Sequence, residues 1–320
     1  MRWIFVGVFT VFFSNAFAQS LADSISVQTV QKHLQFLASD SLKGRENYSP
    51  ELYRAAQYIA TAFNESGATF LPSLNSYYQP FSTKKAAVEK LLPDSAGHYN
   101  SSYVLLNVVG VLPGKTKPAE AILFTAHYDH VGGAGEGIYN GANDNASGTT
   151  ALLTLMRYYA QQASNERTLI FCAFAGEEIG LKGSEALADI INAKSVKALL
   201  NIEMIGRHGA VGKNAFFITG ETKSNLGAYF KKALKGGTVK IKHEPDAQKE
   251  LFMRSDNYPF ALKGIPAHTI MSSDDDDGCY HKTCDEVDRI DVANMTEIIK
   301  AIIVGSRGLV DGTITPSRIR

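Results

Sequence analysis

Residues 171–180, FCAFAGEEIG, set two carboxylates, Glu177 and Glu178, at the end of an apolar run that begins at Arg167. Such a run reads as a strand covered on both faces, where a carboxylate is costly unless it is paired or holds a cation. Polar residues follow other apolar runs in the same way. ILFT leads into AHYDH, with His127 and Asp129; GIYNGANDNASG carries Asp144 ahead of a helical pattern; ALLNI leads to Glu203; YHKTCD brings His281 past a late apolar run. Mixed imidazole and carboxylate donors favour zinc over calcium or magnesium, which take oxygen shells. Two ions about 3.5–4 Å apart, sharing a carboxylate, can activate a water and polarise a carbonyl. One further carboxylate would then stay unligated to move protons. Glu177 and Glu178 suit that division, one as base and one as ligand. Singly, each feature has a plainer reading, since adjacent acids also suit a helix N-terminus.

Alternating elements position these residues. Helical spacing predicts helices over 26–38 and 51–63, then strands over 103–111 and 121–126, with no assignment for 68–100. A helix over 147–159, a strand over 167–174, a short helix over 184–191 and strands over 198–204 and 215–219 follow. A helix over 225–234, a strand over 266–270 and a closing helix over 292–310 complete the order. Strands alternating with helices predict an open, largely parallel α/β sheet covered on both faces, with ligands gathered at the carboxyl ends of the strands.

The chain has 320 residues, 45% hydrophobic and 20% charged, with Lys plus Arg equal to Asp plus Glu at 32 each. That balance offers no basic footprint for nucleic acid and no general attraction to anionic lipid. The opening MRWIFVGVFTVFFSNAFAQS has a positive start, an apolar run and a small-residue exit at Ala16 and Ala18. It reads as a secretory signal peptide over residues 1–18, leaving a single domain over 19–320 that is exported to a periplasm or the medium, without stable membrane insertion. Cys172 lies in an apolar run and suits a buried site. Cys279 and Cys284 bracket His281, and export makes a local disulfide between them the expected pairing.

The blocks TAHYDHVG, GANDNASGT, FAGEEIGLKGS, NIEMIGR, SDNYPF and YHKTCDEVDRID, with the opening LQFLASDSLKGREN, resemble metallopeptidase family twenty-eight, the di-zinc aminopeptidases and their relatives. The resemblance implies a three-layer α/β/α sandwich around a mixed, mostly parallel sheet, two zinc ions, and peptide substrates with a free N-terminus. It makes Asp144 the bridging carboxylate, with His127 and Glu203 completing one zinc site and Glu178 and His281 the other. Glu177 would be the general base, and Asp129 would accept from the His127 ring and fix its tautomer. Tyr280 matches a position that donates to the developing oxyanion in some members. Glu203 departs from the pattern, which has Asp there in most members; the longer stem can still reach a metal.

Three other activities remain open on this scaffold: a glutaminyl-cyclase-like acyltransferase, which uses one zinc, a carboxypeptidase, and a non-catalytic binding protein. The run Asp274 to Asp277 reads as a solvated acidic loop, a rim that attracts a substrate amine, or a calcium site.

Overall fold

The computed structural model describes residues 25–83, 99, 103–135 and 137–319. The expected signal peptide, residues 1–18, lies outside them. Ten strands occur among the described residues: β1 Tyr78–Phe81, β2 Leu105–Leu112, β3 Lys117–His127, a ribbon of β4 Gly133–Ala134 and β5 Gly137–Ile138, β6 Arg167–Phe174, β7 Val196–Ile202, β8 Ala215–Ile218, β9 Lys240–Ile241 and β10 Ala267–Met271. Eight of them form one sheet in the order β1-β2-β6-β3-β7-β10-β8-β9. The centre, from β6 through β3 and β7 to β10, is parallel, while β1, β2 and β8 join antiparallel.

Alternation along the strands sorts the core into two layers. On β6, Leu169, Phe171 and Ala173 join one apolar cluster while Ile170, Cys172 and Phe174 join another. The first cluster takes up helices α1 Val27–Leu37, α2 Pro50–Glu65, α3 Gly148–Gln162, α5 Leu226–Ala233 and α7 Val292–Val310. The second takes up α4 Lys182–Ile190 and α6 Tyr258–Ala261. This is the expected α/β sheet with helices on both faces. Each strand interior is buried twice, which is why β2 and β6 read as continuous apolar runs rather than alternating ones.

Local chemistry starts the helices where the pattern expects them. Ser26 and Ser49 accept from the amides of Thr29 and Leu52, Pro50 takes the first turn of α2, and Asp291 caps α7 by accepting from Asn294 N. Strand β3 runs further than the expected 121–126, so that His127 is its last residue. The edge strand β1 falls where no element was assigned. It is four residues long and contains Pro80, so its conformation comes from pairing with β2 rather than from its own pattern. No helix among the described residues is long and apolar enough to cross a membrane.

Candidate active site

The carboxyl ends of β3, β6, β7 and β10 lie on one side of the sheet, and each delivers a polar side chain there. Asp144 arrives from the turn before α3. Its backbone is held by the buried Asp285, whose carboxylate accepts from Asn143 N at 2.9 Å and Asp144 N at 3.0 Å. The next residue, Asn145, ties this turn to β7. It donates to Ile202 O at 3.0 Å and accepts from Met204 N at 3.2 Å. Gly148 permits the approach, since a Cβ there would sit 2.1 Å from Ile202 O.

Two ring nitrogens flank the Asp144 carboxylate: His127 Nε2 is 3.3 Å from Oδ1, and His281 Nε2 is 3.1 Å from Oδ2. His281 Nε2 is also 3.1 Å from Glu178 Oε2. Neither Nε2 atom makes a hydrogen bond, although both are buried. Donor atoms about 2.0–2.1 Å from a tetrahedral zinc lie about 3.3 Å apart, so these separations are those of ligands that share a cation rather than a proton. Glu203 receives hydrogen bonds from Ser255 Oγ and from Asn201 Nδ2 on Oε2 alone, leaving Oε1 without a partner among the described residues. Glu177 and Glu203 line a small cleft with Asp144, Met204, Leu251 and Tyr280.

The electrostatics point the same way. Burial raises the Glu177 carboxyl well above its ordinary range; His127 pulls it down, while the negative charges of Glu203 and Asp256 add to the rise. Burial also raises Glu203, and it pushes Asp256 up to about 7. Burial would raise Asp144 too, but the rings of His127 and His281 hold it well below the carboxylate range. Burial opposes charge on His127, yet Glu177, Asp144 and Glu203 outweigh it. Four carboxylates, Asp144, Glu177, Glu178 and Glu203, therefore share one buried site, the arrangement that bound divalent cations relieve. The donor set fits zinc.

A model of peptidase family M28 matches residues 107–305, from β2 into α7, more than half of the chain. The chain belongs to peptidase family M28. Aminopeptidase YwaD of Bacillus subtilis (strain 168) is 31% identical over 123 residues, 37% of this chain and 26% of that protein. The chain thus spans about a quarter of that relative in the match. Among solved structures, the LapA aminopeptidase of Legionella pneumophila has a TM-score of 0.70 at 20% identity, covering 97% of this chain and 78% of that one. A glutaminyl cyclase of Porphyromonas gingivalis has a TM-score of 0.65 at 16% identity, covering 90% of this chain and all of that one. Both structures are similar in fold.

Within this M28 site three features differ from the expectation. His127 Nδ1 lies 3.2 Å from the main-chain oxygen of Asp129, while the Asp129 carboxylate is 3.8 Å away. That carboxylate instead accepts from Asn47 Nδ2 and from the amides of Glu177 and Glu178, so Asp129 bonds the backbone of both acids. His130 was not among the expected residues. Its Nδ1 lies 2.9 Å from Glu178 Oε1 and 3.7 Å from Asp144 Oδ2, and His130, Asp144, Glu178 and His281 each offer a ligand atom within 4.8 Å of the others. Its signal was the second histidine of AHYDH, one residue beyond Asp129.

Arg45 also went unassigned. Fully buried, it donates to Tyr128 O at 2.8 Å, Asn140 O at 2.7 Å, Gly141 O at 3.1 Å and Leu37 O. It thereby joins α1 to the His127 strand and to the Asp144 turn. Burial lowers its guanidinium to about 10, against the pull of Asp144, Asp285 and Asp129.

Cys279 and Cys284 form the expected disulfide, and Cys172 is free and buried. The loop they close carries His281, whose φ of 50° is left-handed. The acidic run is neutralised by neighbours: Lys249 pairs with Asp274, Asp275 and Asp276, Arg254 with Asp275, and Arg207 with Asp277.

Proposed function

We propose that the chain is an exported zinc aminopeptidase that removes residues from the free amino end of peptides. Residues 19–320 form its single catalytic domain, and residues 1–18 are its signal peptide. The Cys279–Cys284 bridge supports an oxidising destination. The observation that carries the reading is the approach of two unpaired ring nitrogens, His127 Nε2 and His281 Nε2, to opposite oxygens of Asp144. Asp144 would be the carboxylate shared between the metal positions, with His127 and Glu203 holding zinc on one side and Glu178 and His281 on the other. Zinc supplies acidification of a water molecule and polarisation of the scissile carbonyl.

The remaining work falls to the chain. Glu177 takes the proton from the attacking water and delivers it to the leaving amine. Its raised proton affinity, moderated when cations offset Glu203 and Glu178, suits a group that must hold a proton between the two steps. Tyr280 lines the same cleft with its hydroxyl kept protonated by burial and by Asp144, and it donates to the developing oxyanion. His130 donates from Nδ1 to Glu178 and orients that ligand, while Asp129 fixes the Glu177–Glu178 backbone.

The test is hydrolysis of aminoacyl-nitroanilides by the mature protein with chelator and zinc add-back, beside Glu177→Ala. Zinc-dependent turnover lost in Glu177→Ala supports the reading. Turnover that survives in this variant refutes the role of Glu177. The likeness in fold to a glutaminyl cyclase favours a one-zinc acyltransferase as the second reading. Metal analysis separates them: two ions per chain, one of them lost in Glu203→Ala, favours the peptidase, and one ion with cyclisation of N-terminal glutamine favours the cyclase.

A further inference from the structure

One cation stands among the residues lining the cleft. Arg254 faces it together with Glu177, Glu203, Tyr280 and the apolar side chains of Met204 and Leu251. It immediately precedes Ser255, which donates to Glu203. The guanidinium is about half exposed, and only one of its nitrogens is engaged. Nη1 donates to Asp275 Oδ2 at 2.9 Å and makes a long contact to Lys249 O at 3.4 Å. Nε and Nη2 have no partner among the described residues. Those two nitrogens form the fork through which an arginine binds a carboxylate by two parallel hydrogen bonds.

Asp275 does not depend on Arg254 for its charge. Its other oxygen, Oδ1, lies 2.7 Å from Lys249 Nζ, and Lys249 also reaches Asp274 and Asp276. Arg254 can therefore engage a second anion, or turn from Asp275 toward it, without leaving a bare aspartate behind. Of the acids that would repel such an anion, Asp144, Glu177, Glu178 and Glu203 are those whose charge bound cations would offset in the proposed enzyme, and Asp275, which also lines the cleft, is offset by Lys249. What remains to greet a substrate is an apolar floor with a free guanidinium edge beside it.

We propose that Arg254 recognises a carboxylate on the substrate, making this a peptidase that prefers peptides with an anionic group close to the scissile bond. The inference rests on the peptidase reading. Two sources present the same chemistry there: the side chain of an aspartate or glutamate, and the free terminal carboxylate of a dipeptide.

Calorimetric binding to the zinc-loaded protein, on the Glu177→Gln background for the cleavable leucyl-glycine pair, tests the recognition without relying on turnover. Glutamate is compared with glutamine, and leucyl-glycine with its amide. The wild type should favour one carboxylate of these pairs by about tenfold to a hundredfold, the range for a charge-assisted contact. The pair that shows the preference identifies the source. Arg254→Gln should abolish that ratio, Arg254→Lys should keep part of it, and Asp275→Asn, which removes the competing anion, should increase it. Opposite effects of Arg254→Gln and Asp275→Asn cannot come from a loosened fold. Equal affinities within both pairs in the wild type, or a ratio that survives Arg254→Gln, overturn the proposal.

Hydrolysis of glutamyl- and glutaminyl-nitroanilide, and of leucyl-glycine and its amide, is followed in parallel. An Arg254-dependent binding preference without any hydrolysis refutes the peptidase reading and leaves the recognition standing. Hydrolysis without any Arg254-dependent preference refutes the recognition alone. Where both hold, the loss in Arg254→Gln should fall on KM rather than on kcat.

Discussion

His268 and His127 are both buried, on neighbouring parts of one sheet, and their protons behave in opposite ways. His268 sits inside β10, with Nδ1 2.9 Å from Thr219 O and Nε2 2.7 Å from Ser224 Oγ. Its partners are neutral, and burial pulls it down to about 4. His127 ends β3 among Glu177, Asp144 and Glu203, and these acids raise it although burial opposes them. Burial is common to both, so neighbouring charge decides the difference. The strand interior satisfies its polar groups with neutral bonds, whereas the rim gathers acids whose charge protons or bound cations must offset.

The largest effects belong to the rim. Asp144→Asn should abolish binding of both proposed ions and all measurable peptidase activity, read by metal analysis and nitroanilide assay. A variant that keeps both ions would remove the bridging role. Glu177→Gln should lower kcat by about 10²–10⁴ with zinc content unchanged, since it removes a proton carrier and no ligand. If zinc leaves with it, Glu177 belongs among the ligands and the contrast between adjacent acids disappears.

Next comes the anchor between the two regions. Arg45→Met leaves four backbone oxygens without their donor and should cost about 3–5 kcal/mol in urea unfolding. A change under about 1 kcal/mol would show that the carbonyls find other partners.

His268 sharpens the comparison through pH. Its folded pKa, about 4, lies below the unfolded value of about 6.5, so the unfolded chain binds more protons in that window. Stability from this group is therefore complete above pH 6.5 and is lost as pH falls through 4, by roughly 3 kcal/mol. His268→Gln in chelated protein should flatten that slope relative to the wild type. An unchanged slope would mean that His268 is not held neutral. The smallest effect should come from Cys279→Ser with Cys284→Ser. Opening so short a loop costs about 2 kcal/mol, with weaker zinc binding as His281 is released.

Much of the site was legible because of where ligands fall in α/β sheets. The apolar runs of β3, β6 and β7 end at or just before His127, Glu177, Glu178 and Glu203, so these candidates follow from the sequence pattern, and the structure brings them to one buried cluster. His130 and Arg45 were not legible in this way. His130 reaches Glu178 through the turn after β3, whose path is set by a bond from its amide to Arg45 O. Arg45 makes no ion pair among the described residues and reads in sequence as one more charge in SLKGREN. Its partners are main-chain oxygens from segments up to 96 residues away. The Asp129 carboxylate illustrates the same limit: the family resemblance implied a bond to the His127 ring, while the sheet brought the amides of Glu177 and Glu178 closer.

By itself the sequence determined the order of elements, the apolar runs that must be buried on both faces, and the donor types that fall at their ends. These follow from local periodicity and from the cost of burying charge. Only the tertiary structure decided which oxygen of Asp144 meets which ring, which backbone Asp129 holds, and that a guanidinium edge is left open beside the cleft. Those outcomes depend on strand order and on turns stitched by long-range hydrogen bonds, which no window of residues contains.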